Sequence, residues 1–174
     1  VDEIESIKQF VLLEDEANSA HVTYILLPNE SSFMSFSFRY NGLLRWERFR
    51  TAEEFNNAAK HSLLCKNFRA FHENLFAAME SAIAALLIAI PDTNYLNSRK
   101  HSAWHTRINK WGQLGNVESK FVELFNKLSR DRGAARYSFE EFRMEEAEAN
   151  RMAEICHSFL EFVKGSMVEY HSEK

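Results

Sequence analysis

Cysteine is nearly missing from this sequence: Cys65 and Cys156 are its two cysteines in 174 residues. They stand far apart with no CxxC spacing, which excludes a disulfide framework and makes a reducing, cytoplasmic setting the expectation. Proline is as rare, with two residues, and glycine numbers five, so collagen-like and low-complexity classes are excluded. No apolar run reaches the roughly 20 residues that span a bilayer. The longest, Leu75 to Ile90, is broken by Glu80 and Ser81 and reads as a buried core helix. A basic surplus is also lacking. The net charge is −4, so the chain has no global nucleic-acid signature, and any such role has to be carried locally. There is no Ser-centred elbow, no phosphate-cradling glycine loop and no kinase-like set, and no cofactor is expected. Val1 to Lys8 is acidic and polar, unlike a signal peptide.

What the chain does have is apolar mass: 45% hydrophobic residues and 15 phenylalanines, enough to bury one core without a staple. The first fifty residues read as β. Gln9 to Leu13 is a short apolar run, and His21 to Leu27 is rich in β-branched and aromatic residues. Phe33 to Tyr40 alternates, with Met34, Phe36, Phe38 and Tyr40 on one face. Asn41-Gly42 has type I′ turn chemistry, and Leu43 to Arg50 would be the returning strand. From Thr51 the period becomes helical. Thr51-Ala52-Glu53-Glu54 and Ser138-Phe139-Glu140-Glu141 both have the form of a capping box. The expected helices are one or two from Thr51 to Ile90 with a break near Leu63 to Lys66, then Ser98 to Trp111, Val117 to Arg130, and Ser138 to about Val163. Gly133 is read as a turn. The predicted fold class is α+β: an N-terminal antiparallel meander of three or four strands over residues 1–50, packed on a helical bundle over 51–174 as one unit.

Local charge is uneven. Between Asn97 and Gly115 the charged residues are Arg99, Lys100, Arg107 and Lys110, with Trp104, Trp111, His101 and His105 interleaved and no acid. Lys127, Arg130, Arg132 and Arg136 make a second basic stretch against Asp131 alone. Lysines and arginines neutralise phosphates, and aromatic rings stack on unpaired bases. The alternative is that these cations pair with the glutamates of the last helix. His101-x3-His105 has a spacing that lets two imidazoles meet one metal on a helix, but no third ligand can be placed and no metal is expected. Arg99 and His105 have a second meaning, since a histidine moves protons in metal-free RNA cleavage while an arginine stabilises the phosphate charge. In Arg132-Gly133-Ala134-Ala135-Arg136-Tyr137, the small residues let helices approach, and Arg132 and Tyr137 either tie the segment to an opposite helix or hold an anion. Glu80, inside the apolar helix, would need a partner if buried, and Arg132 or a histidine would serve.

Phe68 to Val163 resembles the HEPN domain. The residues that carry the likeness are a small-residue-rich first helix (Ala77, Ala78, Ala82, Ala84, Ala85), the segment His101-Ser102-Ala103-Trp104-His105, the run Leu128 to Tyr137, and the Glu- and Ala-rich helix from Glu140 to Phe162. Many members carry Arg-x-x-Ala-Asp-Tyr, and Arg132 to Tyr137 matches with Arg136 in place of the Asp. The resemblance implies an up-and-down helical bundle that often forms homodimers. It also implies either a metal-independent RNase using Arg-x4-6-His or a non-catalytic, RNA-associated module of toxin–antitoxin and defence systems. Here Arg132 is followed by Tyr137 rather than His. The reading is a non-catalytic binding or regulatory module meeting RNA or a partner protein, with Arg99, Lys100, Arg107, Lys110, Arg130, Arg136 and Tyr137 as its contact residues and no membrane partner. The alternatives are an RNase using His105, Arg99 and Arg132, and a structural homo-oligomer.

Overall fold

A computed structural model describes residues 20–26, 32–38, 41–89, 101–137 and 142–167. Five helices among them build the body: α1 (Gly42–Leu64), α2 (Phe68–Leu87), α3 (His101–Gln113), α4 (Ser119–Tyr137) and α5 (Glu146–Gly165). Ahead of the bundle, β1 (Ala20–Leu26) and β2 (Ser32–Phe38) pair antiparallel with Val22 opposite Phe36. The α+β expectation is thereby corrected. Among the described residues the sheet has two strands rather than the three or four of a meander, and the body is a helical bundle. Residues 43–50, expected as a returning strand, are the first two turns of α1. The Gln9 to Leu13 run and the Ser138 to Glu141 box lie outside the described residues.

The misplaced strand has a local cause. Asn41 does adopt the left-handed conformation, φ 53° and ψ 37°, that a hairpin turn would need. The same geometry here leads into a helix, because Leu44 to Arg50 continues a three-and-four spacing through Phe49, Ala52, Asn56 and Ala59, all buried. Thr51 is consequently inside α1, where its hydroxyl donates to the Glu47 carbonyl at 2.9 Å instead of capping anything. The break near Leu63 to Lys66 is present. Lys66 turns the chain with φ 54°, and Asn67 caps α2 by accepting from the Ala70 N–H at 3.2 Å.

α2 is the central element and packs on all four other helices. Phe71, Leu75, Phe76, Ala78, Met79, Ala82, Ile83 and Leu86 are buried along it, so it is apolar almost all round. α5 buries Ala149, Cys156 and Val163 at seven-residue steps, with Met152, Phe159 and Leu160 beside them. Phe121 meets Phe159 at 5.1 Å, and Phe76 stacks on Phe125 at 5.6 Å. Gly133 is not a turn: α4 runs through it to Tyr137, and the space where its Cβ would be is open. The Arg132 to Tyr137 segment therefore forms the last turns of a helix, not a connection between two. α5 begins at Glu146 rather than Ser138, with 142–145 non-helical. No helix among the described residues is long and apolar enough to cross a membrane.

Candidate functional site

A cluster of charged side chains lies at the end of the bundle where α2 begins and α4 finishes. Glu73, on the second turn of α2, is the hub. Its carboxylate accepts from Arg136 Nε in a very short ion pair and lies 3.6 Å from Arg132 Nε. Arg132 also lies over the Phe76 ring, with Cζ 4.3 Å from the centroid, so its guanidinium is half-buried between a carboxylate and a π-face. One turn earlier, Arg69 donates to the Ala135 carbonyl at 2.7 Å and so satisfies an acceptor left open by the end of α4. The Glu73 hydrogen bond holds the Arg136 guanidinium above its ordinary pKa.

His72 sits beside this cluster and is fully buried. Its ring meets Phe142 edge-on at 5.5 Å, and both ring nitrogens are without hydrogen-bond partners among the described residues. Burial pushes its pKa below the ordinary value of 6.5; Glu73 and Asp131 work against that shift, and Lys127 and Arg132 assist it. Further along α4, Lys127 bridges Asp131 at 3.0 Å and Glu148 of α5 at 3.1 Å. Burial works to raise the Asp131 carboxyl, but Lys127 and Arg130 outweigh it and hold it below the usual carboxylate range. Among the described residues, Lys127, Arg130, Arg132 and Arg136 meet the carboxylates Glu73, Asp131 and Glu148, and Arg69 adds a further cation beside them.

α3 is held antiparallel against α4 by a specific register. Asn109 and Asn126 exchange amide hydrogen bonds at 3.1 and 2.8 Å. One turn on, Gly112 approaches Val122 so closely that a Cβ there would stand 2.8 Å from its Cγ2. This register sets the first turns of α3 alongside the last turns of α4, whereas Lys110 lies in the last turn of α3, towards the start of α4. The aromatic part of the α3 segment points another way: Trp104 and Trp111 are partly buried and pack against the hydrophobic core. Among the described residues Tyr137 is an exposed ring at this end, with 75% of its surface accessible.

His105 is half-buried, its ring 5.7 Å from Phe125, with Asn109 donating to its carbonyl at 2.7 Å. A chain of rings, Phe125 and then Phe76, connects it to Arg132, and no direct hydrogen bond between the two is made. Arg99 and Lys100 lie outside the described residues. Arg107 is half-buried, Lys110 is exposed, and Arg130 has 72% of its side chain accessible. Among the described residues no group of three or more His, Cys, Asp or Glu is arranged to hold a metal. Sequence reasoning missed Glu73, His72 and Arg69. It offered Glu80 as a partner for Arg132, and Glu73 is two turns earlier on the same stripe of α2. What singles out Glu73 is a partner some sixty residues away in sequence, which no local spacing records.

No curated protein matches the chain. A family model for the HEPN domain matches residues 46–166, from the second turn of α1 past the end of α5. The match covers well over half of the sequence and all five helices, and the chain belongs to the HEPN domain family.

Proposed function

We propose that this chain is a non-catalytic HEPN module that binds single-stranded RNA at the positive end of the bundle, in a defence or toxin–antitoxin setting. The observation that carries the reading is the surplus of arginine around Glu73, next to an exposed tyrosine. Arg136, Arg130 and Tyr137 offer cations for phosphates and one ring for a base. Lys110, exposed in the last turn of α3, adds a separate cation along the bundle. The non-catalytic half of the reading is supported by how the acid–base candidates are engaged. Arg132 is committed to Glu73 and Phe76, and His105 packs on Phe125. Neither is poised on the other, as a phosphate clamp and a proton donor would have to be.

Binding to a single-stranded RNA oligonucleotide, followed with increasing salt and with EDTA present, tests this. Three to four phosphate contacts predict a slope of log K against log salt of about −2 to −3. Arg136→Ala and Lys110→Ala should each weaken binding, and the RNA should stay intact. A flat salt response would remove the RNA role. Cleavage in EDTA that disappears in His105→Ala would establish the RNase reading instead. The homodimer implied by family resemblance is checked in the same samples by light scattering.

A further inference from the structure

The RNA reading makes no use of His72, which is the most deeply buried titratable side chain at that end of the bundle. We infer that His72 and Glu73 form a proton-storing pair, so that an anion drawing Arg136 away from Glu73 is taken up together with one proton. The inference rests on the RNA reading and adds a regulation to it.

The grounds are geometric. Glu73 has one carboxylate oxygen facing both arginines, while its other oxygen, Oε1, is buried and without a partner among the described residues. The neighbouring His72 offers two buried ring nitrogens in the same condition. As long as both arginines hold Glu73, the carboxylate is neutralised and a proton on His72 would be an uncompensated buried charge. The charged groups that act on His72 in this state are Glu73 of α2, then Lys127, Asp131 and Arg132 of α4. From the segment before α5 comes the uncharged ring of Phe142. Their charges nearly cancel, and burial keeps the imidazole neutral.

A phosphate changes that balance. Arg136 is well exposed and is free to turn towards an incoming anion, and Arg132 stands beside it on the same carboxylate. Once Arg136 turns to the phosphate, Glu73 loses its hydrogen-bonded cation in a half-buried position and keeps only the longer contact to Arg132. A proton on His72 then restores neutrality inside the bundle. By reciprocity the proton favours the anion as much as the anion favours the proton. One linked proton limits the effect to about tenfold in affinity per pH unit.

The test measures affinity of the full chain for a single-stranded RNA oligonucleotide from pH 5.5 to 8 at fixed salt. Calorimetry in two buffers of different ionisation enthalpy counts the protons taken up. The expected result is tighter binding at lower pH, approaching tenfold per unit, with close to one proton absorbed. His72→Gln should bind with less than a twofold change over the range, whereas His157→Gln, an exposed residue of α5, should keep the wild-type slope. An unchanged slope in His72→Gln overturns the coupling and leaves RNA binding standing. Absence of RNA binding at every pH overturns both. Should His72→Gln fail to fold, imidazole NMR of the wild-type chain decides. A buried histidine that gains a proton when RNA is added supports the inference, and one that stays neutral throughout overturns it.

Discussion

Replacing Asn126 with leucine removes one partner of the amide pair that sets α3 against α4. Asn109 loses two bonds, at 3.1 Å from its Nδ2 and 2.8 Å to its Oδ1. Its Nδ2 retains the His105 carbonyl at 2.7 Å, so the donor keeps a partner. Its Oδ1 has no replacement and is left half-buried and empty. An unsatisfied acceptor of this kind costs about 1–2 kcal/mol. For a domain of this size that corresponds to a fall in Tm of about 3–6 °C. The double variant Asn109→Leu/Asn126→Leu removes donor and acceptor together and places two apolar side chains across the interface. It should recover to within about 0.5 kcal/mol of the parent. The assay is urea unfolding of the parent, both single variants and the double, closed as a cycle with a coupling of at least about 1 kcal/mol expected. A double variant whose loss equals the sum of the singles would show that the pair contributes no mutual stabilisation. The register of α3 would then have to be set by Gly112 and the core alone.

Three further outcomes follow from particular side chains. His72 is held neutral by burial below its ordinary pKa of 6.5, so the unfolded chain takes up a proton that the folded chain refuses. Stability contributed by this group is therefore complete above about pH 6.5 and declines as the pH falls below it, and His72→Phe should flatten that part of a Tm–pH curve. Gly112→Ala places a methyl group 2.8 Å from the stiff Val122 side chain in the last turn of α3, where the gain in helix propensity is small; a net loss of about 1 kcal/mol in denaturant unfolding is expected, and a stabilised variant would refute the close approach. The Cys156 thiol is buried and its pKa pushed up to about 12, whereas Cys65 is exposed; a thiol reagent at pH 8 should label one cysteine quickly and the second only in denaturant.

The helices were legible wherever one face is buried. The stripe from Phe71 to Leu86 and the seven-residue steps of α5 can be read directly from the sequence, because burial imposes the period. The errors fall where a local signal has two physical uses. Asn41-Gly42 is left-handed as a hairpin turn requires, yet it starts a helix. Thr51 and Glu54 have capping-box spacing, yet the threonine hydroxyl is used inside α1. Gly133 suggests a break, but an exposed glycine costs a helix only about 1 kcal/mol, and the flanking contacts of Arg132 and Ala135 outweigh that. The HEPN resemblance rested on motifs that fall within the matched residues. The hub of the candidate site was not legible, because the partners of Glu73 come from a different helix and only folding places them beside it.

The corner at which three helices meet has a practical consequence. Asn41 donates to the Ile88 carbonyl at 3.1 Å, Arg45 Nε donates to the Ala85 carbonyl at 3.0 Å, and the far end of the same guanidinium reaches Ser166 Oγ at 3.1 Å. Two side chains at the head of α1 thus close off the carboxyl-terminal ends of α2 and α5. Both lie upstream of residue 46, where the family match begins. Trimming the polypeptide to the matched boundaries would strip away these clasps and leave frayed helix ends open to water, so a working fragment of this protein should start no later than residue 41.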